Sequence, residues 1–576
     1  LIAHRRKLGF AKVAVVGATL ALAACGGSGG DAPAGPAPPP PVVVSGVVTF
    51  DRVPVVAGQG LDYTRTVRSP ARGVTVELTN SGAVIASATT DAAGGYSFDV
   101  AANTTVALRV RAEMLRSGAP SWDFRVVDNV NGNALYVLNG SSFDTGTANS
   151  TRDLNAASGW TGAGYTAARS AAPFAILDVI YASAQLVLTA APDAAFPALT
   201  LHWSSGNVPV TGSGAGEIGS SFFRPGVGIF LVGAADQDTD EYDRHVIAHE
   251  WGHYLDYYFS RSDSIGGRHT LTDQLDMRLA FAEAWGNAFS AMATDDHVYT
   301  DAFGPGQGRS FSFDLEQSPT RRNPNPGWFN EESVQSLLFD LFDNGRDLPP
   351  SSTTLDDLAL GFAPLFAALT EPQRSTEALT TVFPLVAALK QSRPADVPLI
   401  DALTVSQRIA AVADDYGSGE SNFGVPTSQR DPQAVRADFD TVYHELTVAG
   451  TAVNVCSLDD FASTTTGAAN KLAARRFVRF SVDTPGMHVI TARAVAPLNA
   501  AADPDMELYR AGSRVASSSE PPQCTAATPE SCVETFAPNL AAGNYVLEVF
   551  EWTNTNDTDD QYPPIGRTCF DVTVTR

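Results

Sequence analysis

The sequence predicts a multidomain α+β protein in which a mixed domain of helices and strands lies between two all-β sandwiches. Three observations carry that prediction. Residues 42–118 and 451–576 read as short strands, with apolar residues at period two broken by Gly, Asn and Asp. The chain, at 576 residues, is long enough for several cores, and its 44% hydrophobic and 18% charged content is that of a globular protein. Between the sandwiches, residues 119–450 hold two apolar helical stretches, 244–259 and 277–292, and the first contains an intact HExxH, His249-Glu250-Trp251-Gly252-His253.

Taken in order, the chain opens with His4, Arg5, Arg6 and Lys7, an apolar run from Val13 to Ala24, and then Cys25. A run of about a dozen apolar residues is too short to cross a bilayer, so residues 1–24 read as a secretion signal. Leu22-Ala23-Ala24-Cys25 resembles the lipobox of bacterial lipoproteins. That resemblance implies that Cys25 is a lipidated N-terminus. Gly26, Gly27 and Ser28 in place of an aspartate behind it imply sorting to the outer membrane of the bacterial cell envelope. Residues 25–41, rich in Gly, Ala and Pro, form a tether. A net charge of -25 argues against nucleic acid or an anionic membrane surface as partner. Membrane contact is therefore expected through the lipid anchor only, and the chain is expected to be a monomer.

In residues 42–118, Val44-Ser45-Gly46-Val47-Val48, Gly73 to Leu78 and Thr90 to Phe98 predict a small antiparallel sandwich. The valine-rich strand and the T-D-x-x-G-x-Y-x-F hairpin resemble the carboxypeptidase regulatory-like domain.

The central segment starts with a helix opened by Pro173, in which Phe174, Leu177, Tyr181, Ala184 and Leu188 recur at helical spacing as core residues. Alternation at Leu199, Leu201 and Trp203 predicts a strand, and residues 228–233 predict a second. In zincin folds the edge strand near the metal helix receives an extended substrate, and 228–233 is assigned that role here. Asp236, Asp238, Asp240, Glu241 and Asp243 then precede the first metal helix. They read as helix capping and dipole stabilisation in preference to a Ca2+ site, since no EF-hand glycine or closing glutamate follows.

In the helix 244–259, positions four apart share a face, so His249 and His253 can each offer a nitrogen to one metal ion. Glu250, a third of a turn away, is placed to take a proton from water. His245 lies one turn earlier, but only the pair His249 and His253 brackets a glutamate. A catalytic Zn2+ usually keeps three protein ligands. The metzincin continuation needs Gly at 256 and His at 259, where this chain has Asp256 and Phe259. In the helix 277–292, Glu283 stands between Ala282 and Ala284, and so apolar a setting requires a buried partner such as a dication. Glu283 is the predicted third ligand, with His269 and His297 as rivals. The arrangement resembles the gluzincins, the thermolysin-like group of zincins. That resemblance implies a zincin-like catalytic domain over 119–450 and, one turn after Glu283, a residue that holds a ligand histidine, here Asn287. The separation of His253 and Glu283 is longer than is common in that group, and the polar insert Ser260 to Gln274 accounts for it. A helix following Trp328, with Leu337, Leu338, Leu341 and Phe342, is expected to wall the cleft. The group also uses a Tyr or His to stabilise the oxyanion; Tyr443 and His444, with Tyr416 a third, are the candidates.

Residues 451–576 predict a jelly-roll-like sandwich. Its D-P-D-x-E-L-Y and G-N-Y-x-L-E-V segments, at 503–509 and 543–549, resemble the pre-C-terminal domains of secreted bacterial peptidases. Four cysteines in an exported domain imply two disulfides, with Cys524–Cys532 and Cys456–Cys569 the preferred pairing. The expected function is zinc-dependent hydrolysis of peptide bonds in a protein or peptide substrate at the cell envelope. The alternative is a non-catalytic surface lipoprotein whose zincin scaffold serves binding or adhesion.

Overall fold

The computed structural model describes residues 39–317, 325–343, 358–420, 441–496, 498, 501–519, 524, 528, 531–556 and 563–576. The expected signal segment, Cys25 and nearly all of the tether lie outside them. The chain is mixed, with several sheets and, among the described residues, seven α-helices: α1 (Ala172–Ala190), α2 (Arg244–Phe259), α3 (Met277–Thr294), α4 (Glu331–Phe342), α5 (Phe362–Ala368), α6 (Val382–Ser392) and α7 (Val397–Ser406).

The N-terminal strands behave as their alternation dictates. In Val42–Arg52 the residues Val42, Val44, Val48 and Phe50 point inward. This strand pairs antiparallel with Gly95–Val100 and Val67–Pro70, and parallel with Ser150–Thr151 and Leu154–Ala156. The unit is thus neither wholly antiparallel nor finished at residue 118. Its second sheet is continuous with the central segment: Thr105–Arg116 pairs with Trp122–Asp128, which pairs parallel with Leu199–Trp203, which pairs parallel with Gly228–Leu231. The expected boundary at 118/119 falls between two hydrogen-bonded strands. α1 is the crossover between two of the parallel strands, and its buried Phe174, Ile176, Leu177 and Ile180 pack in the core both regions share.

The order at the end of this sheet corrects a second expectation. Gly228–Leu231 lies between Leu199–Trp203 and Phe222–Arg224, so it is interior, and the edge strand is Phe222–Arg224. The letters of an apolar run cannot separate these cases, because an edge differs from an interior strand only by what folds beside it.

α2 and α3 cross with glycine against glycine: a Cβ on Gly252 would lie 3.1 Å from Cα of Gly286. Ile247, Ala248, Trp251, Tyr254 and Leu255 bury one broad side of α2, leaving His249 and His253 to face the cleft. α3 starts at Asp276, whose side chain accepts from the Arg278 N–H, and ends at Asp295 in the left-handed region. α4 starts at Asn330, which accepts from the Ser333 N–H, and packs along α3.

The C-terminal sandwich has a five-stranded sheet, from Tyr443–Glu445 through Arg475–Val482, Gly543–Glu551 and Pro504–Arg510 to Ser513–Ser518. Facing it is a four-stranded sheet of Val453–Ser457, Thr568–Thr575, Val489–Ala494 and Val533–Phe536. Since Tyr443–Glu445 pairs parallel with Arg475–Val482, this unit begins before the expected 450/451 boundary. Cys456 bonds Cys569 and Cys524 bonds Cys532, the pairing the sequence favoured. A buried ion cluster locks the sandwich to α3: Arg278 donates to Asp276 at 2.9 Å and to Glu548 at 2.8 Å, and Arg475 donates to Glu548 at 2.7 Å.

Candidate metal centre and cleft

α2 and α3 bring three ligand-type side chains to one point. The Nε2 atoms of His249 and His253 are 3.0 Å apart, and they lie 3.3 and 3.6 Å from Oε2 of Glu283. Bonds of about 2.0–2.1 Å to a tetrahedral ion place donors about 3.3 Å apart, so the three atoms span a face of such a polyhedron. Two nitrogens and a carboxylate oxygen are also a donor set that suits zinc. The residues fit the ion.

The surroundings fix the donors. His249 Nδ1 is 2.7 Å from Oδ1 of Asn287, whose amide nitrogen donates to Oε1 of Glu331 and to Gln335, each at 2.7 Å. With the amide oriented by those two acceptors, Nδ1 of His249 must carry the proton and Nε2 presents its lone pair to the site. The sequence placed Asn287 here. It did not foresee Glu331, 4% exposed, whose other oxygen faces His269 Nε2 at 3.7 Å.

Of the two rival ligands, one lies away from the site and the other pairs with Glu283 without joining the three converging donors. His297 is nearly half exposed and bonds Asp314 at 2.7 Å, away from the cluster. His269 Nε2 lies 3.4 Å from the same Glu283 oxygen. The insert that carries it has no regular structure, yet it is held down by Arg261, which donates to the carbonyls of Thr376 and Ala378. His245 bonds the Asp296 carbonyl and the Thr294 hydroxyl and takes no part.

Glu283 and the histidines around it shift one another's proton affinity. Burial opposes charge on His253 and on His269, but the Glu283 carboxylate outweighs it and holds the two imidazoles up, at about 9 and about 10. Burial likewise opposes charge on Glu283, and the histidines around it overcome that and hold its carboxyl well below the usual range.

The cluster opens on a cleft of roughly 1420 Å³, large enough for an extended peptide of several residues. Glu250 lines it, as do the edge strand residues Phe222 and Phe223, the insert from Ser262 to Thr272, Glu332 of α4, and Thr465 and Thr466 from the C-terminal region. Glu250 is 7% exposed. The candidates for oxyanion stabilisation are elsewhere. Tyr443 is buried in the sandwich sheet with its phenol oxygen accepting from the Leu379 N–H, His444 faces Arg476, and Tyr416 packs on Tyr443. Two tyrosines line the cleft, Tyr257 of α2 and, with its ring centroid 6.4 Å from that of His249, Tyr299 on the strand Val298–Phe303. Burial, and then the carboxylates of Asp301 and Glu250, push the Tyr299 phenol well above the ordinary value, so it keeps its proton as a donor. A tyrosine two positions before an aspartate in a short strand gave no signal in the sequence.

The acidic run has a role other than the expected one. Asp243 is the N-cap residue of α2 but makes no side-chain capping bond; its Oδ2 accepts instead from the Ala302 N–H at 3.0 Å. Asp236 accepts from the Gly306 N–H, and Glu241 pairs with Arg169. Asp238 and Asp240 converge with Asp301.

No protein-family profile and no curated protein matches the chain. Among solved structures it is similar to the pre-peptidase C-terminal domain of a collagenase from Bacillus anthracis, at 10% identity and a TM-score of 0.15, over 23% of this chain and 93% of that one. It is also similar to a putative carbohydrate binding protein from Pseudomonas aeruginosa, at 11% identity and a TM-score of 0.13, over 20% of this chain and 88% of that one. A third is a periplasmic inhibitor of g-type lysozyme from Aeromonas hydrophila, at 7% identity and a TM-score of 0.13, over 23% of this chain and 98% of that one.

Proposed function

We propose that this chain is a zinc metallopeptidase of the gluzincin kind, hydrolysing peptide bonds in proteins or peptides. The observation that supports it best is the convergence of His249, His253 and Glu283 beside Glu250 in a cleft bordered by a sheet edge. His249, His253 and Glu283 would hold the ion, with Asn287 fixing the tautomer of His249. A zinc ion held there supplies Lewis acidity, which makes a water easier to deprotonate and a carbonyl easier to attack. The rest falls to the protein. Glu250 takes the proton from the attacking water and delivers it to the leaving amine. An extended substrate adds to the free edge of Phe222–Arg224, where main-chain hydrogen bonds hold it in register. Tyr299 donates to the oxygen that gains charge during attack. The chain would work in the cell envelope, anchored through Cys25, and the two disulfides of the sandwich suit an oxidising compartment.

The test is a pair of variants in the full chain. Glu250→Gln is expected to keep close to one zinc per chain and to lose nearly all cleavage of an unfolded protein substrate. Glu283→Ala is expected to lose zinc affinity and activity together. If wild-type protein binds zinc but cleaves nothing in a broad peptide library that Glu250→Gln fails to cleave, the scaffold reading replaces the enzyme.

A further inference from the structure

A second group of converging ligand atoms among the described residues has no part in the proposed hydrolysis. Asp238 and Asp240, in the lead-in to α2, meet Asp301 from the strand Val298–Phe303, with one oxygen of each within 4.8 Å of the others. Calcium–oxygen bonds of about 2.3–2.6 Å accept donors up to about 5 Å apart across the ion, so all three can reach one centre. Asp240 is 2% exposed. No described Lys, Arg or His pairs with any of the three; the nearby Arg169 is taken by Glu241.

A fourth carboxylate, that of Asp243, is electrostatically coupled to the group. Asp243 is completely buried, and its Oδ1 has no hydrogen-bond donor among the described residues. Its Oδ2 is tied to the N–H of Ala302, the neighbour of Asp301, and the charges that act on it most strongly are those of Asp301 and Asp238. Oδ1 of Asp301 and Oδ1 of Asp238 are likewise buried without donors. Left to themselves, these groups are costly. Burial first, and then mutual repulsion, push Asp301 up to about 7 and Asp240 and Asp243 well above the carboxylate range, while burial drives Asp238 up to about 6. Asp240 and Asp243, both buried, beside the half-buried Asp238 and Asp301 make a group of carboxylates that is stable only if protonated or if a cation joins it.

We infer that Asp238, Asp240 and Asp301, backed by Asp243, form a binding site for a hard divalent cation, with calcium the ion. All the donors are oxygens, without nitrogen or sulfur, which selects calcium or magnesium over zinc. The open side on the cleft leaves room for the roughly six to eight oxygen ligands that calcium takes, water included, and does not impose the strict octahedron of magnesium. The ion ties together three elements around the candidate active site. Asp240 accepts from the hydroxyl of Ser221, which directly precedes the edge strand Phe222–Arg224. Asp238 and Asp240 lead into α2, and Asp301 is two residues from Tyr299. Calcium binding therefore fixes the substrate edge, the entry to the metal helix and the tyrosine strand relative to one another.

The inference does not depend on peptidase activity, and its readouts are stoichiometry and thermal stability. Full-length protein stripped with chelator is titrated with calcium by calorimetry, and its unfolding is followed with and without the ion. The expected result is a calcium site in the wild type and a rise in Tm of at least about 3 °C at saturating calcium. His253→Ala, which disables the zinc site, keeps both. Asp240→Asn with Asp301→Asn binds one calcium per chain fewer and loses the rise. In chelator the same double variant is at least as stable as wild type, because repulsion has been removed; should it not fold, Asp238→Asn serves in its place. Absence of calcium binding by the wild type overturns the inference, as does an unchanged stoichiometry in the double variant.

Discussion

Gly286→Ala probes the metal centre from behind, without replacing a ligand. Alanine in a helix interior usually stabilises by about 0.8–1.0 kcal/mol over glycine, and Gly286 has no positive φ that would forbid a side chain. A Cβ there, however, would stand 2.8 Å from both Cε1 and Nδ1 of His249. Contact between such atoms is comfortable at about 3.5–4.0 Å, so the imidazole must retreat by more than half an ångström. It cannot rotate away freely, because Nδ1 is anchored on Asn287 at 2.7 Å. Overpacking of this kind costs about 1–3 kcal/mol. Set against the gain in helix propensity, the net loss of stability is about 0–2 kcal/mol, and the protein should fold. The larger effect is on the site, where moving Nε2 away from Nε2 of His253 and Oε2 of Glu283 should lower zinc affinity by about 10–100-fold, as loss of an orienting partner does. Competition against a chromophoric chelator measures the affinity, and thermal unfolding measures the stability. Wild-type zinc affinity together with a raised Tm would refute the claim that the α2–α3 glycine contact sets the position of His249.

Asn287→Ala should weaken zinc by a similar 10–100-fold, read by the same competition, and cost about 1–3 kcal/mol of stability because the buried oxygens of Glu331 and Gln335 lose their donor. Tyr299→Phe should lower kcat by about 10²–10³ at nearly constant KM if its hydroxyl serves the oxyanion; a loss under twofold in steady-state kinetics rules that out. Glu548→Gln reads the clamp between α3 and the sandwich. Burial opposes charge on Glu548, but Arg278 and Arg475 hold its carboxyl down at about 2, so its contribution is complete above the ordinary value of 4.5 and is lost as pH falls toward 2. Wild type should thus exceed the Gln variant by up to about 3 kcal/mol at pH 6, and denaturant unfolding at pH 6, 4 and 3 should show the gap closing. Finally, replacing Cys456 and Cys569 by Ser should cost about 2 kcal/mol more than replacing Cys524 and Cys532, because the loops closed span 113 and 8 residues; equal losses of Tm would count against it.

What could be read from the letters was whatever is local along the chain. The pairing of His249 with His253 follows from the helical repeat, and so does Asn287 one turn beyond Glu283. That Glu283 reaches the histidines needed only the guess that two strongly apolar helices pack together. Tyr443 and His444 failed for a different reason. Only the habit of the resembled group points to them, and no spacing aims them at the cleft. The strand that holds them pairs instead with Arg475–Val482. The 118/119 boundary and the edge at 228–233 failed because strand pairing is non-local: Thr105–Arg116 and Trp122–Asp128 are separated by a turn that reads like a linker, yet they share a ladder.

The acidic run shows most clearly how a local reading and a tertiary one can diverge. Five acids before a helix satisfy the rule for capping, and nothing between 236 and 243 argues otherwise. The structure instead spends each on a different partner, with Asp236 on the Gly306 N–H, Glu241 on Arg169, and Asp243 on the Ala302 N–H. Asp238 and Asp240 remain, and they are joined by Asp301, some sixty residues later, because the hairpin of Val298–Phe303 with Arg309–Asp314 folds back beside α2. The same fold-back carries Tyr299 to the cleft. One non-local event thus delivers both the phenol next to the metal helix and the third carboxylate of the acidic site. A substitution that detaches this hairpin from α2 should therefore disturb the two together, whereas one in α3 such as Gly286→Ala should disturb the histidines alone.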